Sequence, residues 1–489
     1  RYLCYSNCIG FQGYWFMNVK VRFAPSPTGY LHVGGLRTAL YNYLYAKSEG
    51  GEIILRIEDT DQSRKVEGAV EQLMSAFDVM GINFDESPNN EGDCGPYFQS
   101  QRLNLYKKHV NELVDKGLAY PCFCSSERLD KLRKEKQTQK LSTKYDRHCL
   151  SLSKDEIDEK CNSEPHVIRL KIPDSESITF NDTVRNNVTF NNAEIDDQVL
   201  LKSDGFPTYH LANVVDDYLM GVTHVIRGEE WLSSTPKHIL LYNAFEWDVP
   251  QFAHVPLLLN PDKSKLSKRQ GDVAVENYLK KGILPEALIN FVALLGWNPG
   301  DDCEIFSIDE LISEFSLERI HTSGAVFNQE KLAWMNGEYL KNLPLNKIVT
   351  HSKLFITLDI NTEDEKFNRV IDFSRNRVSY LTELNDEIKY FYSHQLENHS
   401  DKALLSEASS QSLFKFWVTE LSENETWTPE TLKALISKTN DELGIKGKNL
   451  FFPMRLAIYG ECKGPDIPSI YNILGRDEII NRLNSVIIG

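Results

Sequence analysis

The hydrophobic pattern first predicts a strand, a turn and a helix near the amino-terminal end. The stretch Val21–Arg37, VRFAPSPTGYLHVGGLR, begins with a short apolar run and passes through Pro25, Pro27 and Gly29. Beyond it, Leu36, Leu40, Tyr43 and Leu44 recur at helical spacing. A second, parallel strand is predicted within Glu52–Asp61, EIILRIEDTD, with Glu58, Asp59 and Asp61 at its carboxyl end. That edge of an open α/β sheet is where ligands bind. From about Pro96 the pattern turns helical, with Leu103, Tyr106, Val110, Leu113 and Val114 on one face. Strand signals return at Val199, in VLLKSDGFPTYHLANVVDDYLMGVTHVIRGEEW. Two apolar runs there flank Tyr209, Asn213 and the pair Asp216-Asp217, and Arg227 closes the second run. His254–Asn260 reads as one further apolar strand.

After Leu284 the chain reads as helical. Leu288, Phe291, Val292 and Leu295 share a face, as do Leu432, Leu435 and Ile436. Thr428 and Pro429 have the residue types of an N-cap and first helical position, and Gly444 is placed to end that helix.

Three stretches suggest chemistry. Gly34 and Gly35 fall at a helix N-terminus, where backbone N–H groups lack intrahelical partners and favour an anion. Without side chains there, a phosphate or nucleotide can approach the backbone. The loop PDKSKLSKRQGD carries Lys263, Lys265, Lys268 and Arg269, cations able to neutralise charge on a leaving pyrophosphate. Arg128–Arg147 holds eight Lys/Arg against three Asp/Glu, a candidate strip for RNA phosphates. Each has an ordinary alternative: a ligand-free turn, a solvated loop, the wet face of a helix.

A chain of 489 residues suggests about three domains. With 41% hydrophobic and 25% charged residues its composition is that of a globular protein. No apolar run approaches the ~18 residues of a membrane helix, so a soluble protein without a membrane partner is expected. The net charge of −16 argues against a general nucleic-acid coat, yet leaves room for one basic docking strip. Nine irregularly spaced cysteines do not form a disulfide framework, and a reducing cytoplasm is the expected location. Arg1–Phe16 lacks the layout of a signal or transit peptide and is expected to be an extension without a role.

RFAPSPTGYLHVGG resembles the first signature of the class I aminoacyl-tRNA synthetases, in the form carried by bacterial-type glutamyl-tRNA synthetases. Lys265-Leu-Ser-Lys268-Arg269 is similar to the second signature, and Val199–Arg227 follows the family pattern at nearly every position. Gly35 stands where the family usually has a second His. The resemblance implies an α/β Rossmann-like catalytic domain split by an inserted acceptor-binding domain. An all-α anticodon-binding domain would follow it at the carboxyl end. The implied divisions are a catalytic domain at 17–95 and 199–260, an insertion at 96–198, a signature loop and stem-contact domain at 261–340, and an anticodon-binding domain at 341–489.

The resemblance also implies that His32, Gly34, Lys265 and Lys268 serve catalysis. Thr28, His32, Gly34, Gly35, Lys265, Lys268 and Arg269 would hold ATP, with Mg²⁺ arriving on the nucleotide. Arg22, Ser26, Glu58, Tyr209, Asn213 and Arg227 would surround L-glutamate, and the other partner would be tRNA(Glu). A monomer is expected. Cys122, Cys124 and Cys149 resemble part of a family zinc site, but Ser151 stands where its His would be. Neither His148 nor Cys161 has the right spacing, so zinc is not expected. Rival readings are a tRNA-modifying glutamyl transferase of the same family, a glutaminyl enzyme, an inactive tRNA-binding paralogue and a plain nucleotidyltransferase.

Overall fold

The computed structural model describes residues 18–64, 66–174, 177–266, 273–393, 396, 401–423 and 427–488. Arg1–Phe16, Lys268 and Arg269 lie outside them. The chain divides into two compact units, one comprising residues up to Tyr278 with Leu288–Gln329, the other Leu279–Ala287 with Glu330–Gly489.

In the first unit, β1 (Lys20–Phe23) pairs in parallel with β2 (Glu52–Leu55), and α1 (Val33–Ser48) makes the crossover. Val21, Phe23, Ile53, Ile54 and Leu55 are all buried, as in parallel strands covered on both faces. Helix α2 (Ala69–Met80) covers them in part, with Phe77 edge-on to Phe23 at 5.6 Å. Next come α3 (Leu103–Asp115) and an antiparallel sheet of β3 (Ala119–Cys122), β4 (Val167–Leu170) and β7 (Val199–Leu201). Tyr106, Val110 and Leu113 of α3 are buried on the expected face, joined by His109.

The basic stretch includes α4 (Ser126–Thr138), which has no buried residue. Four of its cations are already paired: Arg128 with Asp146, Lys131 with Glu135, Arg133 with Asp130, and Arg147 with Asp174 and Asp197. The strip is therefore less positive than its composition suggests.

Helix α5 (Lys154–Ser163) precedes β4, and a hairpin of β5 (Ser177–Asp182) and β6 (Asn186–Asn191) follows it. These residues fall inside the range 96–198 read as the insertion. Their hairpin instead extends the sheet that carries Arg227, in the order β6-β5-β9-β8, with β8 (His224–Gly228) and β9 (Gln251–Val255) parallel. Phe180 packs there with Val225 and Phe252, a sheet-partner choice that local alternation does not encode.

Helix α6 (Tyr209–Leu219) leads into β8, and α7 (Thr235–Phe245) connects β8 to β9. The Thr223 N–H donates to the Lys20 carbonyl at 2.8 Å, placing β8 beside β1. The single strand expected over His254–Asn260 is broken. Pro256, which has no N–H, separates β9 from β10 (Leu258–Leu259), and β10 pairs with β11 (Ala325–Val326) in another sheet. The buried Arg37 of α1 donates to the carbonyls of Pro256 and Leu295, fixing this break against the first signature's helix.

The second unit is helical apart from loops among its described residues. Phe367, Ile371, Leu384, Phe391, Phe414 and Trp417 are fully buried in it, and Trp417 Nε1 donates to Thr439 Oγ1 at 2.9 Å. The helix Pro429–Leu443 begins as expected, the Thr428 side chain accepting from the Thr431 N–H. Such a cap contributes about 1 kcal/mol. Gly444, at φ 69°, ends the helix in the left-handed conformation that glycine adopts without steric cost.

Candidate active site

The carboxyl ends of β1 and β8 open onto a cavity of about 750 Å³, within the range of small-molecule sites. Arg22, Ser26, Thr28, Gly34, Gly35, Glu58, Tyr209, Asn213 and Arg227 all line it, so nine of the expected residues meet in one place. His32 is not among its lining residues. It is half-buried at the start of α1, where its Nδ1 accepts the Gly34 N–H at 2.9 Å. One of the N-terminal amides is thus capped by the motif itself. A Cβ on Gly35 would lie 3.2 Å from Leu31 Cδ1 and 3.8 Å from Phe23 Cζ. A side chain at this position would press on the end of Leu31 beside the cavity that Gly35 lines.

Chain just beyond the second-signature loop pairs with the first signature. The Val33 N–H donates to the Val273 carbonyl and the Val275 N–H to the Leu31 carbonyl, both at 2.9 Å, around a bridge between His32 and Ala274. On the entry side, Lys265 is bridged to Leu259 and is exposed. It does not line the cavity. Chain returning from the second signature thus runs directly against the first.

Beneath the cavity lies a buried charge lattice. Asp217 accepts from Arg22 Nε at 3.1 Å and from Arg56 Nη1 at 2.7 Å. Asp216 accepts from Arg102 at 2.7 Å, Gln99 at 2.9 Å and Tyr106 Oη at 2.7 Å. Arg56 Nη2 reaches Glu58 at 3.1 Å. With its amide oriented to donate to Asp217 and accept from Arg56, Asn213 joins the same lattice. Burial pushes the Glu58 carboxyl above its ordinary value, against the pull of Arg56 and Arg22. Three guanidinium groups, Arg22, Arg56 and Arg102, thus face three carboxylates, Glu58, Asp216 and Asp217. Arg22, read from sequence as facing substrate, commits its Nε and Nη2 to Asp217.

Arg227 differs. It is 4% exposed, and among the described residues no Asp or Glu forms an ion pair with it. Its partners are neutral or backbone groups: Tyr209 Oη at 3.1 Å, His238 Nδ1 at 3.2 Å, Thr235 Oγ1 at 2.9 Å, His254 Nε2 at 3.1 Å and the Trp231 carbonyl at 3.4 Å. Burial, then the charge of Arg227, holds His238 well below its ordinary value, keeping the imidazole neutral. A buried cation without a counter-charge at a cavity wall favours an anionic guest.

Sequence reading missed several groups. Trp231 lines the cavity and packs against Tyr209, ring centroids 4.2 Å apart and tilted by 34°, and its place four residues after Arg227 in RGEEW was a usable signal. The partners of Arg227 on α7 and β9 carried none.

A separate cluster lies beside β3. The sulfurs of Cys122, Cys124 and Cys149 lie within 4.8 Å of one another, Cys124 and Cys149 at 3.6 Å. Tetrahedral zinc with Zn–S near 2.3 Å sets sulfurs about 3.8 Å apart. Tyr145 Oη lies 3.4 Å from Cys122 Sγ and 3.2 Å from Cys124 Sγ, an oxygen where the sequence offered no fourth donor. The donor set fits a metal ion.

Residues 18–334 match the family model described as "tRNA synthetases class I (E and Q), catalytic domain", and 338–487 match "Anticodon binding domain". Fold, cavity and this match define a class I tRNA synthetase. The chain is 46% identical to the Glutamate--tRNA ligase of Clostridioides difficile, over 96% of this chain and 98% of that one. With that of Alkaliphilus metalliredigens it shares 44% identity, over 96% and 99%. A crystal structure of a glutamate tRNA ligase from Elizabethkingia meningosepticum, in complex with its amino acid, superposes with a TM-score of 0.88. That protein is 37% identical, the match covering 96% of this chain and 99% of that one. The chain belongs to the glutamate–tRNA ligase family.

Proposed function

We propose that this chain ligates L-glutamate to the 3′ end of tRNA(Glu) in an ATP-dependent reaction through a glutamyl-adenylate. The observation that carries the choice of glutamate is the buried, uncountered guanidinium of Arg227. All five N–H groups of Arg227 have partners, but those on Nη1 and Nη2 are neutral, the Trp231 carbonyl at 3.4 Å among them; a side-chain carboxylate that displaces two of them accepts two N–H···O bonds and supplies the missing charge, which a carboxamide cannot. Tyr209 and Asn213 bound the same guest, Arg22 and Ser26 face it from β1 and the loop beyond, and Glu58 receives its ammonium group.

Reaction needs no covalent nucleophile. The chain holds carboxylate and α-phosphorus in line and stabilises charge on departing pyrophosphate. His32, Gly34, Gly35 and Thr28 are assigned to ATP, and Lys265, Lys268 and Arg269 to its phosphates. Mg²⁺ enters with the nucleotide. The pairing of Val273 and Val275, just beyond that loop, with Val33 and Leu31 of the first signature supports this division. Replacing Lys268 with Ala is expected to lower adenylate formation at least about 100-fold, the size of a lost charge-stabilising donor, while tRNA affinity stays unchanged. Pyrophosphate exchange and filter binding measure the two. Unchanged exchange would remove Lys268 from the mechanism.

The helical region at 338–487 supports a complete aminoacylating enzyme over the tRNA-modifying transferase, whose family members lack it, and over a glutaminyl enzyme, whose later domains are β-barrels. We place the enzyme in the cytoplasm as a monomer. We also propose a structural zinc ion held by Cys122, Cys124, Cys149 and Tyr145, a different reading from the one the sequence alone suggests. Metal analysis should find about one zinc per chain, lost in Cys149→Ser. A metal-free protein with full activity would return the cluster to a packed thiol core. Aminoacylation with labelled glutamate, purified tRNA species and competing glutamine tests the function as a whole.

A further inference from the structure

The partners that hold Arg227 come from two elements far from either signature. Parallel pairing of β8 and β9 sets Arg227 opposite His254, so both side chains share a face. His254 Nε2 lies 3.1 Å from Arg227 Nε, and His254 Nδ1 lies 2.5 Å from Asp182 Oδ2, at the end of β5. His254 and Asp182 are fully buried. An ionised carboxylate only accepts, so Asp182 takes the Nδ1 proton and leaves Nε2 as the acceptor for the guanidinium N–H. Burial raises the Asp182 carboxyl, but the hydrogen bond from His254 and those from backbone N–H groups bring it below its ordinary value, consistent with that ionised form. Asp182 is itself fixed: its Oδ1 also accepts from the backbone N–H groups of Val184 and Arg185, at 3.1 and 3.0 Å. On the far side, Thr235 Oγ1 accepts from Arg227 Nη2, and the Phe252 ring lies 5.6 Å from the guanidinium carbon. The guanidinium is thereby held at one edge and supported on one face.

We propose that Asp182 and His254 form a positioning pair that sets the plane of Arg227, and through it the discrimination between a side-chain carboxylate and a carboxamide. This rests on the assignment of Arg227 to the substrate side chain. Neither residue lines the cavity, and neither is a catalytic residue. Their effect passes through the direction in which Arg227 presents its Nη groups. A tilt of the fork loses one of two bonds to a carboxylate, while a carboxamide, which uses the charge less, loses little.

The test is steady-state aminoacylation of purified tRNA with labelled glutamate or glutamine, for wild type, Arg227→Gln, His254→Phe and His254→Gln. His254→Phe keeps the ring and removes both nitrogens. Its glutamate-to-glutamine ratio of kcat/KM is expected to fall at least about tenfold, through KM for glutamate, with KM for ATP unchanged. His254→Gln, whose amide oxygen can accept from Arg227 Nε, is expected to recover most of that ratio. An unchanged ratio in a folded His254→Phe protein, or equal losses on both amino acids, would overturn the pair's role. Should His254→Phe not fold, Asp182→Asn takes its place: a lowered ratio supports the proposal and an unchanged one overturns it. A collapsed ratio in Arg227→Gln beside an intact one in His254→Phe rejects the positioning pair alone. An intact ratio in Arg227→Gln rejects the substrate assignment and this inference with it.

Discussion

Arg227→Gln is expected to lower kcat/KM for glutamate by about 10²–10⁴-fold, the equivalent of 3–5 kcal/mol for a buried charge left without its partner. The loss should be confined to the amino acid. Arg227 bonds to Tyr209, His238, Thr235 and His254 rather than to the glycine turn of the first signature, so ATP affinity is expected to change little. Discrimination against glutamine should shrink in step, because the charge that glutamine fails to neutralise is gone. Kinetics with both amino acids, and ATP varied separately, measure this. Comparable damage to ATP and glutamate would instead mean that Arg227 holds the cavity's shape rather than its guest.

Asp217→Asn is expected to have the largest effect on stability, about 3–5 kcal/mol, since it strips one carboxylate from two fully buried arginines. Burial raises the Asp217 carboxyl, but the charges of Arg22 and Arg56 outweigh it and hold it below its ordinary value of 3.8. A group whose folded value is depressed stabilises above its unfolded value and loses that contribution as pH falls through the folded one. The gap between wild type and variant should therefore be constant from about pH 5 to 8 and narrow below about pH 4. Urea unfolding at pH 7 and pH 3.5 measures it. A gap that widened in acid would show that Asp217 is not the ionised partner.

Local signals carried well into the structure. The turn into α1 was legible because proline, glycine and the return of helical spacing occur within a few residues of one another. Thr428, Pro429 and Gly444 marked helix ends because capping is decided by a residue and its nearest amides. Failures arose where the deciding partner is distant. Nothing within Ser177–Asp182 says that its hairpin joins β9, so the link from Asp182 to Arg227 stayed hidden. That Asp217, 195 residues away, holds one edge of Arg22 at the cavity wall was likewise invisible locally. The contact of Tyr145 Oη with Cys122 and Cys124 is made by tertiary packing, and the cysteine spacing does not announce it.

Helix α6 carries Tyr209 and Asn213 towards the cavity and, one turn on, Asp216 and Asp217 into the lattice below. Recognition and foundation thus share a single rigid rod. Evolutionary drift toward another amino acid could not re-aim that rod without uncoupling Arg22, Arg56 and Arg102 together. Arg227, bonded to Tyr209 but outside that lattice, can change without disturbing those three.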